Sequence, residues 1–249
     1  MPLTARSDMY RFGGNKMYGT TMVKEKIDYF SHAVESVNNY KAYTNFPFLL
    51  CEVSLVARLL QEGLSWKQIK GQVIDASQES LRVGSVAPVE NRDILQFRSK
   101  ASRQGAMRAL EQLLNNIPQP YIQFLATGNS DLRRATLLFL TLRINRLLRE
   151  VISEVLLDRL KSLDRSLDRN TIAAFFSLKC EQEQIVSQWS KSTYQKVCSN
   201  TVLILVRSGL LIASRDRKTY EIQAMPIPLQ LKRQLENDRL ELYLKLMLN

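Results

Sequence analysis

The sequence predicts a mainly α-helical protein, with a larger helical part over about residues 1–165 and a smaller module over about 166–249 that carries a short β-hairpin. Two observations predict the helices: apolar residues recur at helical spacing through most of the 249 residues, and glycines and prolines punctuate those stretches. A third predicts the hairpin. One helical stretch stops at Gly209 and gives way to two short apolar segments around a charged tip, Ser214–Lys218, reading SRDRK.

Residues 1–45 are polar and aromatic, with Gly13, Gly14 and Gly19 and weak periodicity. One helix is expected over Met22–Val37, where Met22, Ile27, Phe30, Ala33, Val34 and Val37 roughly share a face. Leu49–Gln61 has apolar side chains at 49, 50, 53, 56, 59 and 60 and a stop at Gly63. Ser65 and Gln68 form a capping box for a short helix through Trp66, Ile69 and Val73. Residues 75–95, with Gly84 and Pro88, read as a loop. A helix resumes at Ser99 or Ser102, with Ala106, Met107, Leu110, Leu113 and Leu114 on one face. Pro118 and Pro120 open a short helix ending near Gly128. Asn129 and Ser130 are candidate caps for Leu132–Leu160, which is long for one globular helix, so a bend is expected near Thr141–Arg146. Ser162–Arg169, SLDRSLDR, reads as the linker between the two parts.

In the C-terminal module, Asn170 is the expected cap of a helix over Thr171–Leu178, and Gln184–Trp189 makes a second helical piece. Ser192 is the expected cap of a third, running to Gly209. Leu210–Ile212 and Tyr220–Ile222 read as strands around Ala213–Thr219. Three helices and a hairpin, in that order, make a winged helix-turn-helix, whose third helix enters the major groove while the hairpin tip follows the backbone.

The charge balance supports that reading. Thirty-five Lys and Arg against 24 Asp and Glu give a net charge of +11, which favours a polyanionic partner, either nucleic acid or an anionic membrane surface. Between Lys191 and Lys218 there are six cations and one carboxylate, Asp216. Lys191, Ser192, Thr193, Gln195 and Lys196 occupy the start of the third helix, where hydroxyl, amide, ammonium and helix N–H groups suit phosphate. Ser199 and Asn200 follow one turn on, within reach of base edges, and Arg215, Arg217 and Lys218 occupy the hairpin tip. Double-stranded DNA is the expected partner, with a docked protein or a merely solvated tip as the alternatives. A second cluster, Arg98, Lys100, Arg103 and Arg108, fits phosphate binding and a solvated helix face equally. Arg133, Arg134, Arg143, Arg146 and Arg149 read as solvent-facing charges beside a core stripe.

Catalytic patterns are missing from the sequence. There is no GxSxG, HExxH, GxxxxGK[ST] or GxGxxG, and the acidic residues form no DxD or ExK pair. Gly13–Gly14 reads as a turn, and the one histidine, His32, lies in an apolar helix-like setting. No catalytic residue, cofactor, metal or small-molecule substrate is therefore expected. Cys51, Cys180 and Cys198 are far apart without CxxC or CxxxH spacing, as for reduced, mostly buried thiols. The N-terminus has no apolar signal region, and the longest apolar runs, such as Ala135–Leu142, fall short of a membrane span. A soluble, cytoplasmic protein without a membrane partner is expected.

Three segments carry a resemblance: FPFLLCEVSLVARLLQEGLSWKQI (46–69), LLFLTLRINRLLREVISEVLLDRL (137–160) and QWSKSTYQKVCSNTVLILVRSGLL (188–211). Together they resemble blocks of the BrxA family, small accessory components of bacteriophage-exclusion (BREX) defence, over about residues 46–235. The resemblance implies a non-enzymatic, all-helical protein with a NusB-like N-terminal part. It also implies double-stranded DNA binding, other BREX components as partners, and a binding role for Ser192, Thr193 and the basic residues beside them. RNA binding, by analogy with antitermination proteins, is one alternative. Another is a scaffold that docks proteins through the winged module and the tail KRQLENDRLELYLKLML. Residues 1–45 look like an extension beyond the usual family start.

Overall fold

A computed structural model describes residues 40–74, 97, 99–215 and 219–248. It is mainly helical: α1 (Leu50–Gln61), α2 (Trp66–Ile74), α3 (Lys100–Leu114), α4 (Gln119–Thr127), α5 (Ser130–Ile144) and α6 (Arg146–Glu150). A π-helical stretch, Val151–Leu156, joins α6 to α7 (Leu157–Lys161). There follow β1 (Ser166–Asp168), α8 (Arg169–Gln182), α9 (Gln184–Ser187) and α10 (Lys191–Ser208). The chain ends with β2 (Leu211–Ala213), β3 (Thr219–Ile222), α11 (Leu229–Asn237) and α12 (Glu241–Leu246). These elements belong to one compact unit, Asn39–Asn249. The helix expected over Met22–Val37, His32, the Gly13–Gly14 turn and the loop over 75–95 lie outside the described residues.

Local signals set most helix ends. The Ser65 N–H donates to Gln68 Oε1 at 2.9 Å and the Gln68 N–H to Ser65 Oγ at 3.4 Å, closing the capping box before α2. Ser99 caps α3 by accepting from the Ser102 N–H, and Asn129 caps α5 by accepting from the Leu132 N–H. Asn145 leaves the helical region (φ −125°, ψ 95°), separating α5 from α6 and capping the latter through the Leu148 N–H; this is the expected bend. Two caps differ from expectation. Asp168, not Asn170, caps α8, and Ser190, not Ser192, caps α10, each accepting from the N–H three residues on. Both true caps have extended backbone (ψ 167° and 154°), the conformation that swings the side-chain oxygen over the first turn.

Gly209 ends α10 at φ +90°, a left-handed conformation that glycine adopts freely. An added Cβ would meet nothing closer than Arg134 Nη1 at 4.0 Å, so Gly209→Ala brings only the conformational cost. A loss of about 1–2 kcal/mol in denaturant unfolding is expected. An unchanged midpoint would show that the turn relaxes instead.

Helix α5 is buried around its whole circumference: Ala135, Leu137, Leu138, Phe139, Leu140 and Leu142 are each at most 1% exposed. Helices α1, α3, α4, α10 and α11 all pack on it, which is why this stretch reads as an apolar run and not a stripe. The Phe139 ring lies 5.0 Å from that of Tyr121 and edge-on to Tyr243 at 5.1 Å. Arg143, expected on the surface, is only 5% exposed. Arg149 also turns inward, donating from Nη1 to the carbonyls of Leu142 at 2.7 Å and Arg143 at 3.1 Å. A helix that stops inside the core leaves carbonyls without partners, and a guanidinium satisfies them.

Residues 40–49 form a non-helical strap tied to several helices. The Tyr40 hydroxyl lies 3.0 Å from Glu150 Oε1 and 2.9 Å from Glu183 Oε1, and the Arg146 guanidinium sits 4.2 Å from its ring centroid. Glu150 also accepts from Arg146 Nε at 2.7 Å and pairs with Lys179 at 3.1 Å, while Lys179 donates to Glu154 at 2.9 Å. Further along, Tyr43 hydrogen-bonds Thr201 on α10, and Arg207 Nη1 donates to the Phe48 carbonyl at 3.3 Å.

The expected linker Ser162–Arg169 contains a strand. β1 pairs antiparallel with β3, Leu167 opposite Tyr220, and β3 pairs with β2, Ala213 opposite Tyr220, giving the order β1-β3-β2. Leu167, Leu211, Tyr220 and Ile222 are buried on one side, while Ile212 and Glu221 are exposed. The thiols are also less buried than expected: Cys51 is exposed, and Cys180 and Cys198 are half-buried. Among the described residues no helix is long and apolar enough to cross a membrane.

Candidate nucleic-acid interface

Helix α10 runs for 18 residues and divides cleanly by exposure. Val197, Thr201, Ile204, Leu205 and Ser208 are buried, whereas Lys191, Ser192, Gln195, Lys196 and Ser199 are all exposed. The spacing of the exposed set, 191, 192, 195, 196 and 199, puts them on one face over two turns. That face holds two ammonium groups, two hydroxyls and an amide, with no carboxylate. The structure thus brings together four of the five residues expected at the helix start. The fifth, Thr193, is half-buried, its N–H donating to Ser190 Oγ at 3.2 Å and its hydroxyl 2.9 Å from the same oxygen. Asn200 is turned away: its Nδ2 donates to the Tyr43 carbonyl at 2.7 Å, so it holds the strap.

The hairpin that follows is closed at its neck by Ser214 and Thr219. The Ser214 N–H and hydroxyl donate to the Thr219 carbonyl at 3.0 and 2.7 Å, and the Thr219 hydroxyl returns to Ser214 Oγ at 3.0 Å. Arg215, the next residue outward, is exposed, while Arg217 and Lys218 lie outside the described residues. Two further exposed cations flank β1, Arg165 before it and Arg169 after it, with Arg169 Nε donating to the Tyr220 hydroxyl at 3.0 Å. Sequence reasoning passed over both because it took SLDRSLDR for a linker. Burial, the main cause, holds the Cys198 thiol up to about 11, so at neutral pH it stays protonated and unreactive.

The BrxA family matches residues 87–238, more than half of the sequence. The chain belongs to the BrxA family. Membership makes it a component of BREX phage defence. No curated protein matches the sequence. A crystal structure of an uncharacterized protein from Magnetospirillum magneticum is similar, at 20% identity and a TM-score of 0.61, over 84% of this chain and 97% of that one. At that identity the likeness is one of fold alone. The BrxA match takes in α3 to α11, and hence both basic clusters, while the strap, α1 and α2 precede it.

In this member of the BrxA family the second basic cluster is divided. Arg98 lies outside the described residues, and Lys100 and Arg108 are exposed on α3, two turns apart. Arg103 is half-buried, donating from Nε to the Ile74 carbonyl at 3.1 Å and from Nη1 to the Phe97 carbonyl at 3.0 Å. Its guanidinium closes the end of α2.

Proposed function

We propose that this BREX component is a non-enzymatic binder of double-stranded DNA, tolerant of sequence and held mainly by phosphate contacts. The observation that carries the proposal is the exposed, carboxylate-free face of α10 with Lys191, Ser192, Gln195 and Lys196, leading into a hairpin with Arg215 at its tip. The element order β1-α8-α9-α10-β2-β3 and the sheet order β1-β3-β2 support a winged-helix reading of this module. On that reading α10 presents its first two turns to the major groove, and Arg215, Arg217 and Lys218 follow the backbone. Arg165 and Arg169 extend the basic edge, and Lys100 and Arg108, with Arg98, are a secondary contact; Arg103, held by the carbonyls of Ile74 and Phe97, drops out of it. The helices before residue 166 form the NusB-like part that supports the module.

A second reading, a scaffold for other BREX proteins, is favoured by an apolar groove of about 530 Å³ lined by Ile172 of α8 and by Val202, Leu203 and Val206 of α10. Mobility shifts with a duplex, a single strand and a structured RNA at two salt concentrations separate these readings. Duplex binding that weakens steeply with salt is the expected result. A preference for the RNA, or no shift with any of the three, would overturn it.

A further inference from the structure

Under the strap lies a cavity of about 400 Å³, lined by strap residues 41–49, one face of α3, the end of α5 and Ile204 of α10. Small-molecule sites begin at roughly this size. The walls are largely aromatic and aliphatic, with Phe46 and Phe48 from the strap and Leu137 and Ile144 from α5, and Thr44, Asn45, Gln112, Thr141 and Asn145 add polar groups. No carboxylate is among the described lining residues, and the charges at the edge are both positive: Lys41 and Arg108, each exposed.

Phe46 is held there under strain. Its φ is +53°, which an aromatic residue rarely adopts. The ring lies edge-on to Phe97 at 5.1 Å and closes against Gly105, where an added Cβ would stand 2.8 Å from Phe46 Cε2. Glycine at 105 thus lets the ring seal one side of the cavity. Backbone strain of this kind gathers at ligand clamps, where the surrounding structure enforces it.

The geometry points to a binding site for a small organic anion with a planar aromatic body, the class shared by nucleoside monophosphates and aromatic carboxylates. The ring enters between the Phe46–Phe48 wall and the aliphatic floor, and the anionic group stays at the mouth between Lys41 and Arg108. A nucleic-acid duplex is far too wide for a cavity of 400 Å³, so the cavity takes a different ligand from the α10 face and shares with the duplex reading only Arg108 at its edge.

Thermal unfolding of the full chain, free of nucleic acid, tests the inference with adenosine 5′-monophosphate, naphthalene-2-carboxylate and uncharged adenosine. At least one anion is expected to raise Tm in a dose-dependent way, by roughly 5–10 °C at a hundredfold excess over its Kd, and adenosine is expected to leave it unchanged. A response to the phosphate alone assigns the nucleotide source, and a response to the carboxylate alone assigns the other. The double variant Lys41→Gln, Arg108→Gln alters only exposed side chains and is expected to weaken that anion at least tenfold. Ala109→Trp, which fills the cavity from α3, is expected to abolish binding. No rise with either anion, an equal rise with adenosine, or an undiminished rise in the double variant would overturn the site. A chain that shifts duplex DNA yet ignores both anions would overturn this inference alone.

Discussion

Replacing Lys191, Lys196, Arg215, Arg217 and Lys218 together by alanine is expected to flatten the dependence of log K on log salt by about four to five units. Duplex affinity near 0.1 M salt should fall on the order of 10³-fold or more. Each cation that neutralises a phosphate releases about 0.9 of a counterion from B-DNA, so the slope counts contacts directly and no sequence preference need be known. Lys191, Lys196 and Arg215 are exposed, so their loss should leave the unfolding midpoint within about 0.5 kcal/mol of the parent. Fluorescence anisotropy with a short duplex at several salt concentrations between roughly 50 and 200 mM reads the slope. The pair Lys191→Ala, Lys196→Ala should account for about two units and the hairpin triple for about three. An unchanged slope in the five-fold variant would remove α10 and the hairpin from the interface.

Legibility in the sequence followed the range of the interaction involved. Asn129, Ser99, Ser65 with Gln68, and Gly209 act within one turn of their own helix, and each could be read from its neighbours. Strand β1 could not. It is three residues long with one buried side chain, Leu167, and it exists because β3, far along the chain, supplies its partners. The candidate interface divided the same way. The density of lysine and arginine after residue 190 was visible as composition, and the α10 face followed from helical spacing. What spacing could not tell was which cations would be consumed inside the fold. Arg103 and Arg149 have the same chemistry as Arg215, but the fold sets them beside the carbonyls of Ile74 and Leu142 at helix ends, and those carbonyls take up their guanidinium groups. Asn200 was similarly claimed by the strap at Tyr43. The ion cluster around Glu150 gave no sequence signal, since its members lie in the strap, α6, the π-helical stretch, α8 and the residue after it.

Glu150→Ala is expected to cost about 3 kcal/mol and to lower Tm by roughly 6–12 °C. Three groups converge on the Glu150 carboxylate: Arg146 Nε at 2.7 Å, Lys179 Nζ at 3.1 Å and the Tyr40 hydroxyl at 3.0 Å. The Lys179 side chain is 9% exposed, and without Glu150 its carboxylate partner is Glu154, itself 49% exposed. Arg146 would keep Glu183 at 3.4 Å and the Tyr40 ring. A buried ammonium that loses its inner partner keeps its desolvation cost, so the loss should far exceed that of Glu154→Ala, about 1 kcal/mol or less for an exposed partner. Acid dependence identifies the group. Burial alone would raise the Glu150 carboxyl, but hydrogen bonds from Arg146, Lys179 and Tyr40 outweigh it and hold its pKa below the ordinary range. A carboxyl depressed in the folded state contributes stability that is complete above its unfolded value, about 4.3, and lost as pH falls through the lower folded value. Urea unfolding of the parent at pH 7 and pH 3 should therefore show a larger acid loss than Glu150→Gln, which keeps the shape and removes the titration. Equal acid losses would assign the sensitivity to another carboxylate. Because Tyr40 anchors the strap to this cluster, Glu150→Gln should also make the chain easier for a protease to cut within residues 40–49, where cleavage follows the population of the opened strap.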